Sequence, residues 1–113
     1  MTKNKMVDTA KEFEAALSRR EIEKYVLRLY VSGLTIRSSH AINNIKRICD
    51  EHLKGRYTLD VIDLSQQPSL AQDEQILAVP TLIKKLPLPL RRLIGEMSDT
   101  ERVLVGLDLH KES

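Results

Sequence analysis

Three stretches decide the fold: Tyr25-Val-Leu-Arg-Leu-Tyr-Val31, the run from Ser38 to Leu53, and Tyr57-Thr-Leu-Asp-Val-Ile-Asp-Leu64. The first is nearly continuous in β-favouring residues, as in a strand covered on both faces, and Ser32-Gly33 breaks it. In the second, Ala41, Ile42, Ile45, Ile48, Cys49 and Leu53 recur at three- and four-residue spacing, which makes one apolar stripe on a helix. Thr35 or Ser38 can cap its start, and Gly55 sits where the chain needs a left-handed residue to leave it. The third stretch is again strand-like. Strand, helix and strand in this order predict a βαβ unit with parallel strands and a right-handed crossover.

Working outward, Pro68 fits the first turn of another helix, predicted to run through Leu70, Asp73 and Leu77. Val79-Pro80-Thr81 leads into a strand from Leu82 to Leu86, Pro87 and Pro89 force a turn, and Leu90 to Ile94 is a partner strand. Ser98-Asp-Thr-Glu101 reads as a capping box, with Ser98 accepting from the backbone of Glu101. The order βαβαββα predicts an α/β fold: a mixed sheet with helices on both faces, in the thioredoxin arrangement. The domain runs over 25–110, preceded by a helical extension, 1–24, and followed by a short tail, 111–113. Within the extension Phe13, Ala16, Leu17 and Arg20 lie near one helical face.

Residues 102–110 satisfy two templates. As a helix, Val103, Leu104 and Leu107 share a face; as a strand, Val103, Val105, Leu107 and Leu109 do. Gly106 costs a helix about 0.5–1 kcal/mol relative to Ala, and Asp108 meets the wrong end of the helix dipole. This conflict predicts a C-terminal half able to adopt two packings. Gly106, Asp108 and the X-Pro bonds at Pro80, Pro87 and Pro89 are its candidate switch residues. Gly106→Ala and Asp108→Arg are both expected to favour the helical form.

The 113 residues carry 18 Lys plus Arg against 16 Asp plus Glu, a net charge of +2. That is too little for a nucleic-acid binder working by counterion release, and one Phe, three Tyr and no Trp leave little material for stacking on bases. No apolar run approaches the ~18 residues that cross a bilayer. The charged opening has no signal-peptide core, so a cytoplasmic location is expected. A local basic cluster, Lys84, Lys85, Arg91 and Arg92, could meet an acidic partner.

Catalytic chemistry finds no purchase. A dithiol oxidoreductase of this fold needs a cysteine in the loop after the first strand, here Ser32-Gly33-Leu34-Thr35-Ile36-Arg37-Ser38. The single cysteine, Cys49, lies on the apolar helical stripe and reads as a small buried hydrophobe. His40, His52 and His110 have no ligand spacing with it or with one another, so no metal or cofactor is expected. Asp60 and Asp63, towards the end of the second strand, read as strand-end polarity rather than an acid–base pair. The chain is not expected to be an enzyme.

The blocks Tyr25-Val-Leu-Arg-Leu-Tyr-Val-Ser-Gly33, Tyr57-Thr-Leu-Asp-Val-Ile-Asp63, Ile76-Leu-Ala-Val-Pro-Thr-Leu82, Leu86-Pro-Leu-Pro89, Ile94-Gly-Glu-Met-Ser-Asp99 and Glu101-Arg-Val-Leu-Val-Gly-Leu-Asp-Leu109 resemble the KaiB family of circadian clock regulators. The resemblance implies a non-enzymatic protein that binds a KaiC-type ATPase. It also implies two folds, a ground-state oligomer and a thioredoxin-like monomer that binds KaiC. Gln75 joins the four basic residues as a candidate partner-binding position, since cyanobacterial members tend to carry lysine there. They also tend to carry basic residues where this chain has His40 and Asn43, and to lack so long an extension. These departures weigh against a KaiA partner and suggest a relative from outside the cyanobacteria, acting in a clock-like or stress pathway. A thiol-less sensory domain that binds a histidine kinase is the alternative. A homo-oligomer, dimer or tetramer, is expected from the apolar Tyr25–Val31 strand, the Leu86–Leu90 turn and the 103–109 run.

Overall fold

β1 (Tyr25–Val31) runs through the middle of a four-stranded sheet ordered β2-β1-β3-β4. It pairs in parallel with β2 (Tyr57–Asp63) and antiparallel with β3 (Thr81–Leu86), which pairs antiparallel with β4 (Arg91–Ile94). Helix α1 (Ile36–His52) crosses between β1 and β2, α2 (Ser69–Asp73) between β2 and β3, and α3 (Thr100–Gly106) follows β4. The computed structural model describes residues 24–109, so the expected extension, apart from Lys24, and the tail lie outside the described residues.

Alternation along β1 sorts the core into two layers. Tyr25, Leu27, Leu29 and Val31 pack with Ala41, Ile45, Ile48 and Cys49 of α1 and with Val103 and Leu104 of α3. Tyr30, on the opposite face, packs with Ile83 and Leu64, and the segment around α2 covers them with Leu70, Ala71 and Ile76. Period-2 alternation in the strand therefore meets period-3.6 stripes on helices at both sides, the thioredoxin-like α/β arrangement that the element order predicted.

Local chemistry sets the boundaries. Thr35 caps α1, its hydroxyl accepting from the Ser38 N–H at 3.1 Å. Leu53 closes the helix, and Gly55 makes the exit with φ +74, a backbone region that a Cβ disfavours.

Three expectations need correction. The α2 helix does not reach Leu77. It stops at Asp73, Gln75 takes φ 55, and Leu77 is 96% exposed, because the chain must turn to deliver Pro80 to the start of β3. The cap of α3 is Asp99 rather than Ser98; its carboxylate accepts from the Arg102 N–H at 3.2 Å, which Asp does at least as well as Ser. The apolar surface of β1, offered above as a reason for self-association, is covered by the chain's own helices. Of the other two runs, Val103, Leu104 and Leu107 are also buried, while Leu86, Leu88 and Leu90 are exposed. The bonds preceding Pro80, Pro87 and Pro89 are all cis.

Candidate functional site

The β3–β4 hairpin carries four of the five candidate partner residues, with Gln75 in the turn after α2, and strand alternation divides the four between the two faces. Leu82 belongs to the α1/α3 layer and Ile83 to the α2 layer, so Lys84 and Lys85 point to opposite sides of the sheet. In the β4 register, Arg91 lies opposite Lys84 and Arg92 opposite Ile83, and the division continues.

On the α3 side, Lys84 is buried, its side chain 1% exposed. Its Nζ donates to Asp108 Oδ2 and lies 5.9 Å from the centre of the Tyr25 ring. Arg91 joins the same carboxylate, Nε at 3.2 Å and a terminal nitrogen at 3.3 Å. The hydrogen bonds from Lys84, and then those from Arg91, hold the Asp108 carboxyl below the usual carboxylate range. Lys84 is therefore not part of a solvated basic cluster; it is an interior cation with one carboxylate to match it.

On the α2 side, Glu74 takes the equivalent role. Lys85 Nζ lies 2.9 Å from both of its oxygens and Arg28 is 3.3 Å away, so its carboxyl is also lowered, first by the Lys85 hydrogen bond. Arg92 reaches the backbone carbonyl of Gln75 at 3.3 Å. Gln75, Lys85 and Arg92 thus share one face, with Gln75 and Arg92 exposed. Nothing in the sequence singled out Glu74.

The switch candidates also change meaning. Asp108, with φ 60, lies beyond the last turn of α3 and fastens the end of that segment to the sheet. Its interaction with the dipole is secondary to two cations within hydrogen-bond reach, so replacing it with Arg does not favour this form. At Gly106, an added Cβ would stand 2.3 Å from one Leu93 methyl and 2.9 Å from the other. The helix passes close over β4 there, and Gly106→Ala loses by overpacking what it gains in propensity. On these contacts neither substitution is expected to favour this form.

Cys49 is fully buried, and burial, then the charge of Asp50, pushes its thiol up to about 12, far from a reactive thiolate. Asp63 accepts from the Gly33 N–H at 2.8 Å and from the Ser65 hydroxyl and N–H at 2.6 and 2.9 Å. It pins the β1–α1 loop to the end of β2. His40 and Asn44 on α1 hold the loop before α3, through the Glu96 carboxylate at 3.2 Å and its carbonyl at 2.9 Å. Among the described residues no helix is long and apolar enough to cross a membrane.

Solved structures share this geometry. The N-terminal domain of Synechococcus elongatus SasA superposes with a TM-score of 0.63 at 21% identity, covering 80% of this chain and 90% of that one. Mitochondrial thioredoxin 3 of Saccharomyces cerevisiae gives 0.61 at 12% identity, covering 83% and 88%. At such identities the likeness is one of fold. Sequence relatives say more. The circadian clock protein KaiB3 of Synechocystis sp. is 51% identical over 92 residues, 81% of this chain and 90% of that protein. The circadian clock oscillator protein KaiB of Synechococcus elongatus is 52% identical over 85 residues, 75% and 83% respectively. Both organisms are cyanobacteria, and the expectation of a relative from outside that group gains no support. A family model described as the KaiB domain matches residues 28–109. The chain belongs to the KaiB family, whose members are non-enzymatic components of the circadian clock.

Proposed function

We propose that this chain binds a KaiC-type ATPase in its thioredoxin-like form and modulates that enzyme's state in a clock-like or stress-adaptation pathway. The observation that carries the reading is the match of about half of all aligned positions to clock oscillator KaiB proteins, with a family match over residues 28–109 that takes in the whole hairpin and α3. Gln75, Lys85 and Arg92 on one face, with Arg91 at the rim of the other, are the contact residues proposed. Lys84 contributes from inside, by fastening the form that binds. The switch between two packings is placed in residues 79–109, with the Lys84–Asp108 pair and the Gly106–Leu93 contact favouring or limiting the helical arrangement. Self-association, in a dimer or tetramer of the other form, would use the exposed Leu86, Leu88 and Leu90. KaiA is not proposed as a partner, and a histidine kinase rests on the likeness of fold alone.

The test is capture of purified KaiC-type ATPase from the same organism on the immobilised full chain, with ATP present. Stoichiometric retention that falls in an Arg92→Glu variant supports the reading. No retention of the ATPase by wild-type chain refutes it.

A further inference from the structure

β4 is an outer strand of the sheet, with β3 as its one neighbour among the described residues. Its register sets Arg91 opposite Lys84, Arg92 opposite Ile83, Leu93 opposite Leu82 and Ile94 opposite Thr81. One position further on, Gly95 donates its N–H to the Pro80 carbonyl at 2.9 Å. In an antiparallel ladder, hydrogen-bonded pairs alternate with non-hydrogen-bonded pairs, so this bond fixes the phase of the whole strand. Arg91 and Leu93 turn their N–H and C=O groups to β3. Arg92 and Ile94 turn theirs to the open edge, two donors and two acceptors in strand spacing.

The surroundings of that edge select what can pair with it. A cleft of about 470 Å³ opens beside it, lined by the chain from Arg92 to Asp99 and by Arg102 and Val103. Ile94 offers it an apolar side chain that is 67% exposed. Two carboxylates line the cleft as well, Glu96 within 3.2 Å of His40 and Asp99 capping α3 through the Arg102 N–H at 3.2 Å. Arg92 donates to the neutral carbonyl of Gln75 and adds its charge near Glu74, a carboxylate that Lys85 and Arg28 already hold, and Arg102 is exposed. Along the β3–β4 hairpin itself, Lys84, Lys85, Arg91 and Arg92 stand against the carboxylates of Asp108 and Glu74, so the strand is cationic around the apolar Ile94. A second copy of β4 would bring two Arg91 and two Arg92 onto one short ladder, and that concentration of like charge disfavours it.

We propose that β4 accepts an extended acidic segment of a partner protein as an added strand. The segment's backbone bonds to Arg92 and Ile94, an apolar side chain of the segment lies on Ile94, and its carboxylates meet Arg92 and Arg102. Main-chain bonds supply the affinity and the arginines supply the selection. The site stands whether or not the chain binds a KaiC-type ATPase.

The experiment is an NMR titration of the labelled full chain with an acetylated, amidated peptide, Thr-Glu-Glu-Val-Glu-Glu-Thr, whose central Val and the Glu two residues to either side share one face. Two twins serve as controls, one with every Glu replaced by Lys and one N-methylated at alternate backbone positions on its pairing edge. Saturable shifts and slowed amide exchange at Arg92 and Ile94 are expected, with binding of the N-methylated twin weaker by about tenfold or more. Ile94→Pro removes an outward N–H while leaving the β3 ladder its bonds, and should abolish binding. Arg102→Glu should weaken the acidic peptide and strengthen the lysine twin. Equal binding of the N-methylated twin overturns the proposal without recourse to any variant's folding. Equal binding of the lysine twin overturns it too, as do edge shifts that grow with the chain's own concentration in the absence of peptide.

Discussion

Asp108→Asn separates the two physical readings of the C-terminal segment. If the helix dipole governed, removing an anion from the C-terminal end of α3 would stabilise the domain by about 0.3–1 kcal/mol. The geometry gives the opposite sign. Lys84 is 1% exposed and its ammonium has Asp108 as its carboxylate partner, with the Tyr25 ring 5.9 Å away. Removing one member of a buried pair costs about 3–5 kcal/mol, because the remaining charge stays desolvated and uncompensated. Asp108 is itself 30% exposed and Arg91 shares it, so water reaches the site and the lower end, about 3 kcal/mol, is expected. Domains of this size are stable by roughly 5–15 kcal/mol, so the loss is a large fraction of the whole.

The companion variant makes the assignment strict. Lys84→Met in the Asp108→Asn background replaces the stranded cation by an unbranched apolar chain of similar length, and should recover most of the loss. Urea unfolding of wild type, both single variants and the double variant gives the coupling energy, expected above about 1.5 kcal/mol. Acidity supplies a second handle. A carboxyl held low in the folded state contributes stability that is complete above its unfolded value of about 3.9 and is lost as pH falls through the folded value. The gap between wild type and Asp108→Asn should thus be open at neutral pH and close below about pH 4. Additive single-variant effects, or an Asp108→Asn variant as stable as wild type at pH 7, would refute the account.

Gly106→Ala should destabilise the domain by about 1–2 kcal/mol, since overpacking against Leu93 outweighs a propensity gain of about 0.5–1 kcal/mol; adding Leu93→Ala should return part of it, measured by the same unfolding curves. Cys49→Ala should cost about 1 kcal/mol and leave partner capture intact, and the wild-type thiol should react with a disulfide reagent at pH 8 only as fast as the protein unfolds. Glu74→Gln should cost about 1 kcal/mol at pH 7 by loosening Lys85 and Arg28 together, and the difference should vanish in acid for the reason given for Asp108.

What the sequence made legible follows from the range of the forces involved. The βαβ unit and the order of elements along the chain rest on periodicity within each segment, and Ala41, Ile45, Ile48 and Cys49 announce their buried face by spacing alone. The short α2 was overextended because Leu70 and Leu77 keep helical spacing, while the reversal at Gln75 is imposed by where Pro80 must arrive. The fate of Lys84 was in principle readable. A strand covered on both faces cannot carry two adjacent lysines without sending each into a helix layer, and each then requires a carboxylate. Which carboxylates answer was not readable, because Glu74 and Asp108 come from turns 11 and 24 residues away in sequence from their lysines. The same reasoning explains the opposite signs now expected at the C-terminus. Dipole and propensity act along the helix and are visible in its sequence, but at Gly106 and Asp108 they are worth at most about 1 kcal/mol. The contacts that override them, Leu93 against the glycine and Lys84 against the aspartate, lie across the helix on neighbouring strands. Where a helix is only seven residues long, its environment contributes more than its own backbone. Substitutions at Lys84 or Leu93 should accordingly shift the proposed balance between packings of residues 79–109 as strongly as any made within the helix.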